Sequence, residues 1–133
     1  MSTLAVGTIK SISSAAPVFQ NTSGTEKGQL VKVWLNMQGT GTVAINDSFN
    51  VSSVTDLGTG MYQANFSVAM ANTNYCSLVN KMLSTTGGDT STDDVLTGMI
   101  NTSQLTTSTK FFARDATGGT VDSVHMFLAV FGD

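Results

Sequence analysis

Few side chains of this sequence combine the types and the spacing that enzyme chemistry requires. His125 is the only histidine, so a Ser-His-Asp triad would have to be built around it. It lies in the apolar stretch 124–131, which favours a structural side chain over a general base. Zinc needs three or four nitrogen, sulfur or oxygen ligands, so a histidine-based site in one chain is excluded. A trimer that gathers three copies of His125 around its axis is the alternative.

The single cysteine and the acidic loop do not point to a catalytic or metal-binding site either. Cys76 lies beside Tyr75 in a predicted strand with no flanking cation to activate it, which predicts a buried, inert thiol. Asp89, Asp93 and Asp94 could bind calcium, but their spacing matches no EF-hand loop, and we interpret 84–94 as a solvated loop. Phosphate-binding and dinucleotide-binding glycine motifs are missing. We therefore predict a protein that is not an enzyme, with no catalytic residue, no cofactor and no metal site.

Aromatic side chains are the remaining candidates for a binding site. Trp34, Tyr62 and Tyr75 could form a surface on which sugars stack, as aromatic faces do in carbohydrate-binding sandwiches. Phe112 follows Phe111, and adjacent residues of a strand face opposite ways, so one of the two must leave the core. A bulge and a subunit interface both explain this pair, and the sequence leaves the two open.

Composition indicates the class of fold and excludes two classes of partner. Charged residues make up only 11%, against about 25% in typical domains, and Ser, Thr and Gly take their place. Long helices cover their wet face with charged residues, whereas Thr, Val and aromatics suit strands, so we predict an all-β protein. The net charge of -3 and the lack of a basic cluster argue against nucleic-acid binding. No apolar stretch approaches the ~20 residues of a membrane span.

The elements that must position these residues fall into two segments. Residues 1–28 carry four spaced aliphatic residues among small polar ones and end in a turn-like stretch. We predict an extended N-terminal arm that lies on another surface, and a disordered segment is the alternative. The four candidate docking residues of this arm are Leu4, Val6, Ile9 and Ile12. Residues 29–133 show period-two alternation with turns every ~8–12 residues, which predicts a head domain with a β-sandwich or jelly-roll-like fold.

The alternation also predicts the strands and core of the head. Strands are expected at 29–37, 43–45, 49–54 with a break near Ser52-Ser53, 61–68, 75–82, 95–104, 107–114 and 121–131, with a hairpin turn at 56–60. The last strand is apolar on both faces, so we expect it at the centre of the sandwich or under a neighbouring subunit. The predicted core consists of Val31, Val33, Leu35, Val43, Ile45, Phe49, Tyr62, Phe66, Val68, Leu78, Val124, Met126, Leu128 and Val130.

The N-terminus predicts the compartment of synthesis. It has neither a basic start nor a continuous apolar run, so we expect no signal peptide. A single cysteine excludes an internal disulfide. Both features favour synthesis in a reducing cytosol over secretion by the general route, and neither excludes later release inside a larger particle.

One long segment resembles a known family. The run 32–43, Lys-Val-Trp-Leu-Asn-Met-Gln-Gly-Thr-Gly-Thr-Val, is similar to the Ala-Trp-Val-Asn-Phe-Asn-Gly-Thr-Gly-Thr signature of small virion proteins of tailed bacteriophages, notably phages of aquatic bacteria. The resemblance continues through Ser-Phe-Asn-Val-Ser-Ser-Val-Thr-Asp at 48–56 and Gly-Thr-Gly-Met-Tyr at 58–62. It covers roughly residues 1–80 and is specific through 32–66.

The resemblance implies a non-enzymatic virion component with a β-rich trimeric head and an N-terminal attachment arm. We therefore expect a homotrimeric capsid decoration (cement) protein at the virion surface, synthesised in the cytoplasm of the host bacterium. Its arm would dock on the major capsid protein or another virion protein by adding a strand to an exposed sheet edge. The alternative is a tail-fibre or head-fibre knob that binds a host surface glycan through Trp34 or Tyr62.

Overall fold

The structure is a computed structural model that describes residues 19–20, 22–24, 26–28, 30–82, 96–100, 104–115 and 117–132. The chain divides into two compact units, Met1–Leu30 and Val31–Asp133. In the first unit, strand β1 (Phe19–Gln20) pairs antiparallel with β2 (Glu26–Gly28). The arm residues Leu4, Val6, Ile9 and Ile12 and the predicted loop 84–94 lie outside the described residues.

Two four-stranded antiparallel sheets pack as a sandwich in the second unit. The described strands are β3 (Val31–Gln38), β4 (Ala44–Phe49), β5 (Val51–Gly58), β6 (Met61–Phe66), β7 (Cys76–Met82), β8 (Leu96–Met99), β9 (Ser108–Arg114) and β10 (His125–Phe131). Sheet I has the strand order β4-β3-β10-β7, and sheet II has the order β5-β6-β9-β8. The predicted all-β sandwich is therefore confirmed, and β10 is central in its sheet, as its two apolar faces predict.

Every second residue of the central strands points into the space between the sheets. The buried side chains of sheet I include Val33, Leu35 and Met37 on β3 and Met126, Leu128 and Val130 on β10. Sheet II contributes Tyr62, Ala64 and Phe66 from β6 and Phe111 and Ala113 from β9. Each large apolar side chain buried in this way contributes roughly 1.5–3 kcal/mol to folding.

Part of the predicted core is wrong. Five of its members are exposed: Ile45, Phe49, Val68, Leu78 and Val124. Ile45, Phe49 and Leu78 lie on the edge strands β4 and β7, and Val68 and Val124 lie just outside β6 and β10. Two further members, Val31 and Val43, are only half-buried. Their places in the core are taken by Met37, Ala64, Met70, Tyr75, Phe111 and Ala113.

Two turns direct the chain between and within the sheets. Asn50, with a φ of 58°, separates β4 of sheet I from β5 of sheet II. The predicted hairpin turn at 56–60 is confirmed: Gly58 and Gly60 adopt φ values of 118° and 66°, which glycine tolerates best. The predicted break near Ser52-Ser53 is wrong, because β5 is continuous there, although its register on β6 shifts between Val51 and Ser53.

The strands account for most of the described chain. Within the described ranges no helix is long and apolar enough to cross a membrane.

Candidate interaction surface

The outer face of sheet I carries apolar side chains where an exposed sheet face is usually polar. We call this surface the apolar face, and its residues are Trp34, Phe49, Leu78, Phe127, Ala129 and Phe131. Phe49 and Leu78 are 54% and 60% exposed, whereas the members on the central strands are half-buried between their neighbours. Contiguous exposed apolar patches are rare on soluble proteins, and where they occur they commonly mark interaction sites.

Strand register arranges four members of the apolar face in one row. Phe49 of β4 lies opposite Trp34 of β3. Trp34 in turn lies opposite Ala129 of β10, which lies opposite Leu78 of β7. Directly opposed side chains stand about 4.5–5.5 Å apart, so the row crosses the whole width of the sheet. Beside Ala129, a shallow depression of about 340 Å³ is lined by Leu78, Val79, Asn80, Phe127, Leu128 and Ala129.

A second row beside the first is mostly polar. Asp47, Asn36, Phe127 and Asn80 lie opposite one another on successive strands of sheet I. Polar groups that border an apolar centre are the usual arrangement of a protein interface.

The outer face of sheet II is different, because much of it is covered by hydrogen-bonded polar side chains. Asn65 Nδ2 donates to Ser53 Oγ at 3.0 Å and to Thr55 Oγ1 at 3.1 Å, and it accepts a 2.6 Å bond at Oδ1 from Gln63. These groups already satisfy one another and also face water at little cost. The outer face of sheet II also carries the exposed Leu96 and the half-buried Phe112, but hydrogen-bonded polar groups cover much of β5 and β6, whereas the apolar face has an apolar row across all four strands.

His125 begins β10 at one end of the apolar face. Its Nδ1 lies 3.3 Å from Asn46 Nδ2, and Asn46 also donates to Asn36 Oδ1 at 3.2 Å. The imidazole stacks on Phe127 with an interplanar angle of 16° and ring centroids 6.4 Å apart. These contacts favour the structural interpretation of His125, which stays a prediction.

The three candidate aromatics do not form one site. Trp34 is half-buried on the apolar face, and Phe112 is half-buried on the outer face of sheet II. Phe112 lies against Gly98, where a Cβ would stand 3.0 Å from its ring, and Arg114 lies over it at 4.8 Å. The register of β9 is regular there, so the bulge proposed for the phenylalanine pair is wrong.

Tyr62 is fully buried, so its prediction as a sugar-stacking or interface aromatic is wrong and its prediction as a core residue is confirmed. Tyr75 is buried too, so its prediction as a sugar-stacking aromatic is also wrong. The Tyr62 hydroxyl lies 3.0 Å from both the Gly39 carbonyl and Asp122 Oδ1. Gly60 N donates to the same Asp122 oxygen at 2.7 Å. Burial, followed by the hydrogen bond to Asp122, raises the pKa of Tyr62. The side chain closes one end of the sandwich.

Cys76 is exposed, which corrects its prediction as a buried thiol. It begins the edge strand β7 opposite Phe131, on the same side of sheet I as the apolar face. Asp89, Asp93 and Asp94 lie outside the described residues, and among those that are described no three histidine, cysteine or acidic side chains cluster as metal ligands would.

Sequence reasoning placed only Trp34 on this surface. Phe49 and Leu78 were assigned to the core, and Phe127, Ala129 and Phe131 were recognised only as the second apolar side of the last strand. That second apolar side was the sequence signal that pointed to the apolar face, since it predicts either a strand at the centre of the sandwich or a face covered by a neighbouring subunit.

The chain matches no protein-family model, and neither the curated proteins nor the solved structures contain one that is significantly similar to it.

Proposed function

We propose that this chain is a non-enzymatic structural protein of a bacteriophage virion, a capsid decoration protein that docks through its N-terminal arm. The apolar face supports a role in assembly, because exposed Phe49 and Leu78 lie beside a half-buried Trp34 and exposed apolar patches mark interaction sites. The resemblance through 32–66 supplies the virion context. The trimer that this resemblance implies stays a prediction.

The place of the protein on the particle is the first test. Immunogold labelling or cryo-electron microscopy of intact virions should show the protein spread evenly over the head. Signal confined to the tail or its fibres would contradict decoration and favour the knob.

Docking through the arm has a separate test. A full-length variant with serine at Leu4, Val6, Ile9 and Ile12 should lose at least tenfold in affinity for undecorated capsids, since the spaced aliphatic residues would no longer anchor the added strand. A Leu96→Lys variant, changed on the outer face of sheet II, should bind like the wild type. Saturation of capsids by the arm variant at wild-type concentrations would overturn arm docking.

The second candidate function is binding of a host surface glycan, and the half-buried ring of Trp34 on the apolar face favours it. Sugars stack on such rings through their apolar faces. Under this function, glycan-array binding should be lost in Trp34→Ala and kept in Phe112→Ala, which removes a half-buried aromatic from the other sheet. Equal loss in both variants, or no binding by the wild type, would contradict it.

A further inference from the structure

The row of four residues on the apolar face is complementary to itself. Across the strands of sheet I its order is Phe49, Trp34, Ala129, Leu78. A rotation of 180° about an axis that runs along the strands, midway between β3 and β10, reverses this order in a second copy laid against the first. The bulky Trp34 then lies over the small Ala129 of the second copy, and Phe49 lies over its Leu78.

The depression fits the same arrangement. It lies over β7 and β10 and is lined in part by Leu78 and Ala129, so the rotation brings Phe49 and Trp34 of one copy towards the depression of the other. An isologous interface requires this relation, in which residue i contacts residue j while residue j contacts residue i. In the polar row Asp47 of one copy then faces Asn80 of the other, an amide that can donate to its carboxylate. Asn36, whose Oδ1 already accepts from Asn46, lies over Phe127.

We propose that two copies of this chain pair through the apolar face, sheet I on sheet I, across this two-fold axis. Stacked sheets pack about 10 Å apart with their strands within about 30° of each other, which is the geometry that the axis along the strands produces. The pair differs from the trimer that the resemblance implies. It concerns the free protein and does not depend on the virion proposal.

The apolar face would form only the centre of such an interface. Phe49 and Leu78 are more than half exposed on it, and its other four members are half-buried. Stable interfaces bury about 800 Å² on each partner, so the polar row and other side chains around the patch must supply the remainder. The net charge of -3 per chain adds little repulsion between copies.

Sedimentation of the full-length protein tests the pair. The wild type at 10 µM should show about twice the chain mass of 13.9 kDa. Leu78→Lys should lower this to the mass of one chain, because a lysine there meets the second copy's Phe49. Leu78 is 60% exposed in the single chain, so the substitution leaves the core untouched. Leu96→Lys is the matched control, as Leu96 is 52% exposed on the edge strand β8 of sheet II, and it should keep the wild-type mass.

Alkylation of the Cys76 thiol gives a second readout on the same proteins. Cys76 lies on the paired side of β7, so the thiol should react severalfold faster in Leu78→Lys than in the wild type, while circular dichroism shows both folded. A single-chain or three-chain mass for the wild type, or a pair retained in Leu78→Lys, overturns the proposal. A single-chain wild type whose glycan or capsid binding is lost in Leu78→Lys also overturns it and assigns the apolar face to that partner.

Discussion

At the scale of single residues, the end of the sandwich around Tyr62 is held by groups that depend on one another. The buried phenol touches the Gly39 carbonyl and Asp122, and Asp122 in turn accepts the backbone N–H of Gly60. Gly39 N donates to the Ser123 carbonyl at 3.0 Å. A change at any of these positions therefore disturbs the contact between the β3–β4 turn, the β5–β6 turn and the segment before β10.

Alkaline pH should destabilise the fold through its tyrosines. Burial is the main cause that raises the pKa of both Tyr62 and Tyr75, the only two tyrosines of the chain. Because an unfolded tyrosine ionises near pH 10, the unfolded state loses its phenolic protons first, and stability is complete below pH 10 and falls as the pH rises above it. Absorbance at 295 nm should therefore rise at a higher pH in the native protein than in the unfolded chain. A native phenolate signal with an apparent pKa near 10 would contradict this.

The glycine at the β5–β6 turn should resist substitution more than a glycine of similar conformation elsewhere. Gly60 and Gly118 have φ values of 66° and 87°, so alanine costs about 1–2 kcal/mol of conformational strain at either. A Cβ at Gly60 would lie 2.6 Å from Val121 N, whereas nothing lies within 4 Å of one at Gly118. Urea denaturation should show Gly60→Ala at least ~2 kcal/mol less stable than Gly118→Ala. An equal loss of stability in Gly60→Ala and Gly118→Ala would mean that the turn relaxes away from Val121.

At the scale of strands, the sequence predicts where the strands lie better than it predicts which face of each strand is buried. Alternation identifies β3, β6 and β10 and most of their buried residues. In β3 and β6 one face is the more apolar, whereas β10 is apolar on both faces. Alternation assigns Phe49 and Leu78 to the core because period two shows that two faces differ without showing which one is covered. Strand order decides this, and strand order depends on pairings such as that of Ala129 with Leu78, which are distant in sequence. The apolar face is for the same reason visible from the sequence only at Trp34.

The crossover between the sheets depends on Asn50. Its Nδ2 donates to the carbonyls of Lys32 at 3.2 Å and Val68 at 3.1 Å, and its Oδ1 accepts the N–H of Val68 at 2.7 Å. Asn50→Gly keeps the positive φ and removes these bonds, and Asn50→Ala also adds conformational strain.

Thermal or urea denaturation should therefore show Asn50→Gly destabilised by about 1–3 kcal/mol and Asn50→Ala by about 1 kcal/mol more. Asn72→Gly is a suitable control, since Asn72 is exposed and its Oδ1 accepts a single local bond from Asn74 N. A loss at Asn50→Gly no larger than at Asn72→Gly would show that the side-chain bonds contribute nothing.

At the scale of the whole molecule, the two outer faces of the sandwich differ in how continuous their apolar surface is. Polar side chains that bond one another cover much of sheet II, whereas covering Phe49 and Leu78 of sheet I lowers the free energy. Covering the apolar face with a second copy couples the stability of each sandwich to the concentration of the protein, because only the folded state pairs.

The Tm of the wild type should for this reason rise with protein concentration. For a pair of chains of 133 residues, each tenfold increase in protein concentration stabilises the folded pair by about 1.4 kcal/mol. This raises the Tm by about 2–3 °C. Calorimetry or fluorescence melts from 1 to 100 µM should thus show a rise of about 5 °C. In Leu78→Lys the Tm should be constant over this range, and in Leu96→Lys it should follow the wild type. A concentration-independent Tm in the wild type would mean that the folded chains do not pair through the apolar face.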